Sequence, residues 1–113
     1  MIATKDWHPP QHVSFSTNHP GTTVGEVIVA NGLNQTMWPI HCVQGSPGSE
    51  FYPELDTSAF DATFHKGWSV DVDSYSGFYS NGHRIETGLL QARCSMGSLP
   101  FALVVCSLVW VFP

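Results

Sequence analysis

A short strand that runs into a double proline constrains this chain more than any other stretch. Ile2-Ala3-Thr4 is an apolar run of strand character, and Asp6 and His8 follow it two residues apart. Side chains alternate across an extended backbone. If the strand stays extended through His8, the carboxylate and the imidazole therefore leave the same face at its C-terminal end. Pro9 and Pro10 then lack the N–H groups that further sheet or helix would use. His12 consequently sits on a stiff loop able to fold back toward the same point. An Asp-x-His at a strand end, joined by a distant His, has the donor types for zinc, iron or manganese. Three protein ligands would leave coordination positions open for catalysis or ligand binding. The competing reading of the same residues has Asp6 capping a turn and the histidines on the surface.

With 113 residues the chain has the length of one small domain, with little margin for burying a core. Its charge is −5 and its only cations besides histidine are Lys5, Lys66, Arg84 and Arg93, so there is no basic patch to take up nucleic acid or an anionic membrane. The three cysteines, Cys42, Cys94 and Cys106, are odd in number, widely spaced and without a CxxC pair. That pattern fits reduced thiols in the cytoplasm, and no basic segment followed by an apolar run marks the opening for secretion.

Further along, Val24 to Ala30 reads as a short strand closed by the Asn31-Gly32 turn, and His19 as a solvated loop histidine. Pro39 aims His41 and leaves Trp38 as a large flat surface beside it. Cys42 adjoins His41 but has the character of a small buried cysteine rather than a nucleophile. Ala59 to Gly67 alternates as a strand, with Phe60, Ala62, Phe64 and Lys66 on one face. A lysine at the C-terminal end of a strand stands where α/β proteins build active sites, although an edge lysine with its head in solvent has the same spacing. Residues 70–78 read as loop; Asp71 and Asp73 are too closely spaced, and lack a closing Glu, for a calcium loop. Thr87 can cap a short helix through Arg93. From Phe101 to Phe112 only Ser107 is not apolar, a run too short for the roughly 20 residues of a membrane span and Val-rich enough for a buried strand.

Four segments in this order resemble the nicotinamidase/pyrazinamidase branch of the isochorismatase-like cysteine hydrolases. They are Thr4-Lys5-Asp6-Trp7-His8-Pro9 with His12-Val13-Ser14-Phe15, then Leu33 to Gly45 around Trp38-Pro39-Ile40-His41-Cys42, then Phe64-His65-Lys66-Gly67, and then Val70 to Phe78. The resemblance runs over residues 2–93. It implies an α/β fold, an incomplete isochorismatase-like three-layer arrangement with a mainly parallel sheet, lacking the first strand and the C-terminal part. The organisation it implies is a partial nicotinamidase domain over 1–93 and an unrelated apolar tail over 94–113.

By that resemblance, Asp6, His8 and His41 hold a divalent metal, zinc first with iron or manganese as alternatives, and His12 is a candidate fourth member. Trp38 lines the pocket for the pyridine ring and Lys66 is the catalytic lysine. The family's chemistry is hydrolysis of nicotinamide to nicotinate and ammonia, a step of NAD salvage, by a cysteine thiolate on a Gly-x-Ala-x-Asp-x-Cys-Val turn, helped by an Asp on the preceding strand. Neither that turn nor that strand has a counterpart here, so the expectation is a metal-dependent amidohydrolase by kinship whose present chain is inactive. The expected partner is a small-molecule substrate, with a homo-oligomer as an open assembly. Unpaired sheet edges and the apolar tail also imply poor solubility. The alternative from another class is a non-catalytic metal-binding or interaction module.

Overall fold

The computed structural model describes residues 1–95 and the backbone of 103–106. Its centre is a parallel three-stranded sheet. Strand β1, Ile2–Asp6, runs between β4, Ala62–Lys66, and β5, Leu103–Cys106. The order β4-β1-β5 places the strand that carries Asp6 in the middle, where Ile2, Ala3 and Thr4 are all buried. Such burial on both faces is what an apolar run inside a parallel sheet requires. The register sets Thr4 opposite Phe64 and Asp6 opposite Lys66. Residues opposite each other share a face, so the last pair of β1 and β4 brings a carboxylate and an ammonium together at the C-terminal end of the sheet.

One face of the sheet is covered by the 72–80 loop and by the helix α1, Leu89–Ser95. Gly77 lies so close to β1 that a Cβ there would stand 3.0 Å from Thr4 Cγ2 and 3.4 Å from Leu89 Cδ2. Leu89, the buried residue of α1, thus packs over Thr4 through a position where only glycine fits without a shift. The Leu89 N–H donates to Thr87 Oγ1 at 3.3 Å, the capping role read from the sequence. On the opposite face Trp7 stacks on His65 with ring centroids 4.5 Å apart, and the Lys5 ammonium lies over Trp7 and Phe51. Alternation along β4 is plain: Lys66 is buried while Thr63 and His65 are exposed.

Between the sheet strands the chain makes a long excursion that contains a hairpin, β2 Val27–Ala30 and β3 Leu33–Thr36. The two-residue connection is Asn31 and Gly32, with φ of 52° and 81°. Both central residues at positive φ give the turn whose twist matches an antiparallel pair. The sequence reading had only the first of these strands, because Leu33-Asn34-Gln35-Thr36 is too polar to announce itself. His19 is not simply solvated: its half-buried ring bonds to the Val13 carbonyl through Nε2 at 2.8 Å and ties the excursion down.

The apolar run near the end of the sequence contributes β5, parallel to β1 with Ile2 opposite Leu103 and Lys5 opposite Cys106. The rest of the tail, including its expected break after the helix, lies outside the described residues. No helix among the described residues is long and apolar enough to cross a membrane.

Phe15 is fully buried, with its ring edge-on to His8 at 5.7 Å and to His41 at 5.4 Å. Replacing it by alanine opens a cavity that the surrounding rings cannot close. We expect a loss of about 3–5 kcal/mol, read as a lowered midpoint in urea denaturation. A midpoint unchanged by Phe15→Ala would mean that the imidazoles are held without it.

Candidate metal centre

Asp6 ends β1, and the chain continues extended: Trp7 N–H donates to the Lys66 carbonyl, and His8 N–H to the Cys42 carbonyl. His8 also accepts from Gln44 N–H, so it bridges to the segment that carries His41. In this way two residues of one strand end and one residue of a distant loop meet. Ligand atoms from Asp6, His8 and His41 all lie within 4.8 Å of one another, with His8 Nε2 4.0 Å from Asp6 Oδ1.

The tautomers follow from the partners. His8 Nδ1 is 2.7 Å from the Gly67 carbonyl and His41 Nδ1 is 2.7 Å from the Pro39 carbonyl. A carbonyl oxygen can only accept, so both Nδ1 atoms carry hydrogen and both Nε2 atoms present lone pairs. Histidines that bind metals are oriented by the same device, a backbone carbonyl on the nitrogen that does not ligate. Two imidazole lone pairs and a carboxylate converge in a largely buried place as acceptors, and the Lys66 ammonium occupies only the Asp6 carboxylate. The donor set therefore fits a divalent metal of borderline softness.

Lys66 stands beside this group. Its Nζ donates to the Asp6 carboxylate and, at 2.9 Å, to the Ser74 carbonyl, and it is 5% exposed. The lysine is thus buried and committed, not an edge residue with its head in solvent. Trp38 is half-buried, held by main-chain bonds to Ser14 and Ser16, and its indole N–H donates to the Tyr75 hydroxyl at 3.3 Å.

His12 goes elsewhere. Its Nδ1 is 2.7 Å from Ser14 Oγ, and its ring stacks on His8 with centroids 4.0 Å apart. Its Nε2 points toward Asp73 Oδ1 at 4.0 Å rather than joining Asp6 and His41. The Ser14 contact holds the ring against His8, with ligand-type atoms of His12, His8 and Asp73 grouped together. Asp73 is the site-adjacent residue that sequence reasoning missed. It is 4% exposed while Asp71 is exposed, and the spacing of two aspartates in a loop gave no sign of which one was inside.

Gly67 closes the site from β4, at φ 64°. A Cβ on it would fall within 2.7 Å of His8 Nδ1, so the glycine is required both by its backbone and by the imidazole it carries.

Comparison with known proteins gives the chain its relatives. No protein-family model matches the chain. It is 47% identical over 91 residues to the nicotinamidase of Escherichia coli, a match covering 79% of this chain and 41% of that protein. The chain is homologous to nicotinamidases over that stretch. Among solved structures, a nicotinamidase/pyrazinamidase of Acinetobacter baumanii superposes with a TM-score of 0.83 at 36% identity, covering 92% of this chain and 49% of that one. The pyrazinamidase of Pyrococcus horikoshii in complex with zinc gives 0.59 at 29% identity, covering 96% and 46%. The nicotinamidase-like chain thus spans about two fifths to one half of the length of these relatives. Its α/β, parallel-sheet architecture is theirs, seen in part.

Two outcomes follow from the imidazoles. Burial pushes His8 below the ordinary histidine value and takes His12 down to about 3, the neighbouring His8 adding to the effect. Below pH 6.5 the unfolded chain takes up protons that the folded one refuses, so stability present at neutral pH is lost as pH falls through the window from about 6.5 to about 3. Urea denaturation of the metal-free chain should weaken by up to about 1.4 kcal/mol per pH unit for His12 within that window, with His8 acting in the same direction; a flat profile from pH 7 to 5 would contradict it. Gly67→Ala should displace the His8 ring, and zinc affinity measured by chelator competition should fall by at least about tenfold.

Proposed function

We propose that the chain carries the metal-holding and lysine-bearing part of a nicotinamide-hydrolysing site. In this reading Asp6, His8 and His41 hold one divalent cation, zinc in preference to iron or manganese. When bound, it supplies Lewis acidity toward the ring nitrogen of a pyridine carboxamide. The observation that carries the reading is the pairing of each Nδ1–H with a backbone carbonyl, which leaves two Nε2 lone pairs beside the Asp6 carboxylate. The zinc complex of the Pyrococcus horikoshii pyrazinamidase supports the choice of metal.

The flat face of Trp38, with Tyr75 bonded to its indole, accepts the pyridine ring. Lys66, fixed between Asp6 and the Ser74 carbonyl, holds a positive charge where amide hydrolysis by a thiolate would use it. The thiolate itself has no carrier in this sequence. None of the three cysteines follows an Asp at the Asp-x-Cys spacing, Cys42 is buried and Cys94 is exposed on α1. The chain as it stands therefore binds metal and hydrolyses nicotinamide negligibly, since loss of the nucleophile removes the covalent step. Its compartment in this reading is the cytoplasm; the tail over 94–113 differs in sequence from the nicotinamidase domain of 1–93, while its β5 joins that domain's sheet beside β1.

Purified chain titrated with zinc should bind one ion, and Asp6→Ala or His41→Ala should abolish binding. With nicotinamide, the zinc-loaded chain should release no ammonia above the protein-free rate. Ammonia release above that rate would overturn the inactivity, and failure of the parent chain to bind zinc would overturn the metal centre. Zinc binding by a stable chain that shows no affinity for nicotinamide would favour a metal-binding module instead.

A further inference from the structure

Behind the proposed metal ligands lies a second layer of buried polar groups. Asp73 is 4% exposed, and the basic group within ion-pair distance of it is His12, whose Nε2 stands 4.0 Å from Oδ1. The carboxylate is held by dipoles: Ser74 N–H donates to Oδ1 at 2.8 Å and Gln35 Nε2 to Oδ2 at 3.4 Å. His12 is fully buried, and its Nε2 has no hydrogen-bond partner. Its ring stacks on His8, a ring that in turn presents Nε2 toward Asp6. His8, His12 and Asp73 also bring ligand-type atoms within 4.8 Å of one another.

This is a polar column, Asp73 to His12 to His8, ending at the cation position. An isolated carboxylate in such a place is costly unless positive charge is near. Lys66 is committed to Asp6 and the Ser74 carbonyl. A cation held by His8 would lie at the far end of the column, where Asp73's charge is felt through a medium of low polarity.

We propose that Asp73 is a positioning residue of the metal centre: acting through His12, it fixes the plane of the His8 imidazole and adds the negative charge that raises cation affinity. The proposal rests on the metal reading given above. It differs from a merely structural role, since a residue that only braces the 72–80 loop would lower the stability of the metal-free chain and leave the intrinsic affinity for zinc alone.

The test uses the full chain with zinc as the probe. Asp73→Asn keeps volume and an acceptor while removing charge, and His12→Phe keeps a stacked ring while removing Nε2. Zinc affinity is measured by competition with a chromophoric chelator, the metal-free melting temperature by circular dichroism, and ligand geometry by the visible bands of the cobalt-substituted chain. Asp73→Asn should weaken zinc binding by about 10- to 100-fold and shift the cobalt bands. Adding it to His12→Phe should weaken binding by less than the sum of the two single effects, because the orienting contribution is shared while that of the charge is not. Unchanged zinc affinity in either folded variant would overturn the proposal, as would full additivity in the double variant. If Asp73→Asn does not fold, His12→Phe decides alone. A parent chain that binds zinc no better than Asp6→Ala fails the metal reading itself and takes this inference with it, an outcome distinct from a parent that binds zinc and an Asp73 variant that binds it equally well.

Discussion

The ion pair between Lys66 and Asp6 is the interaction on which the rest of the site depends. It joins the last residues of two adjacent parallel strands, both nearly excluded from water. Removing one member of such a pair leaves a buried charge without compensation, which costs about 3–5 kcal/mol. That is a large part of the total stability of a small domain, about 5–15 kcal/mol. The charge that pairs with Asp6 therefore also pins the register of β1 against β4. A slip of one residue would turn Asp6 and His8 to the opposite face and separate the carboxylate from the ammonium.

Around that pair the backbone does most of the orienting. The carbonyls of Gly67 and Pro39 select the tautomers of His8 and His41, and the carbonyl of Ser74 accepts a second hydrogen bond from the Lys66 ammonium. Main-chain groups are fixed by the fold, so side chains that depend on them inherit its rigidity. Phe15 packs against three imidazoles at once. Its apolar ring removes the water that would otherwise screen them, and the cost of charging His8 and His12 rises accordingly.

Much of this was legible in the sequence, for physical reasons. The Ile2-Ala3-Thr4 run, the two-residue spacing of Asp6 and His8, and the alternation of Ala62 to Lys66 are local patterns that directly give strand faces, whereas Phe60 lies before β4 and packs on Phe51. The meeting of His41 with Asp6 and His8 was not local, and only the likeness to a known family carried it. Three features stayed hidden. Strand β3 has the composition of a loop and is a strand only because the Asn31-Gly32 turn presents it to β2. His12 bonds to the Ser14 hydroxyl two residues on and groups with His8 and Asp73, partners that its spacing did not announce. Asp73 looks like its neighbour Asp71 in sequence; what separates them is which one the 72–80 loop turns inward, a tertiary fact.

The parallel sheet has a kinetic consequence. No strand neighbour of β1 is near it along the chain: Asp6 meets a lysine sixty residues on, and β5 is farther still. A sheet of such high contact order folds slowly, since each pairing must close a long loop before it yields any energy. During synthesis β1 therefore leaves the ribosome sixty residues ahead of β4 and pairs with it only once that strand has followed it out. Over that interval Ile2, Ala3 and Thr4 form a bare β-prone segment, and the hairpin of β2 and β3, whose strands are adjacent in sequence, is the part of the nascent chain able to close first.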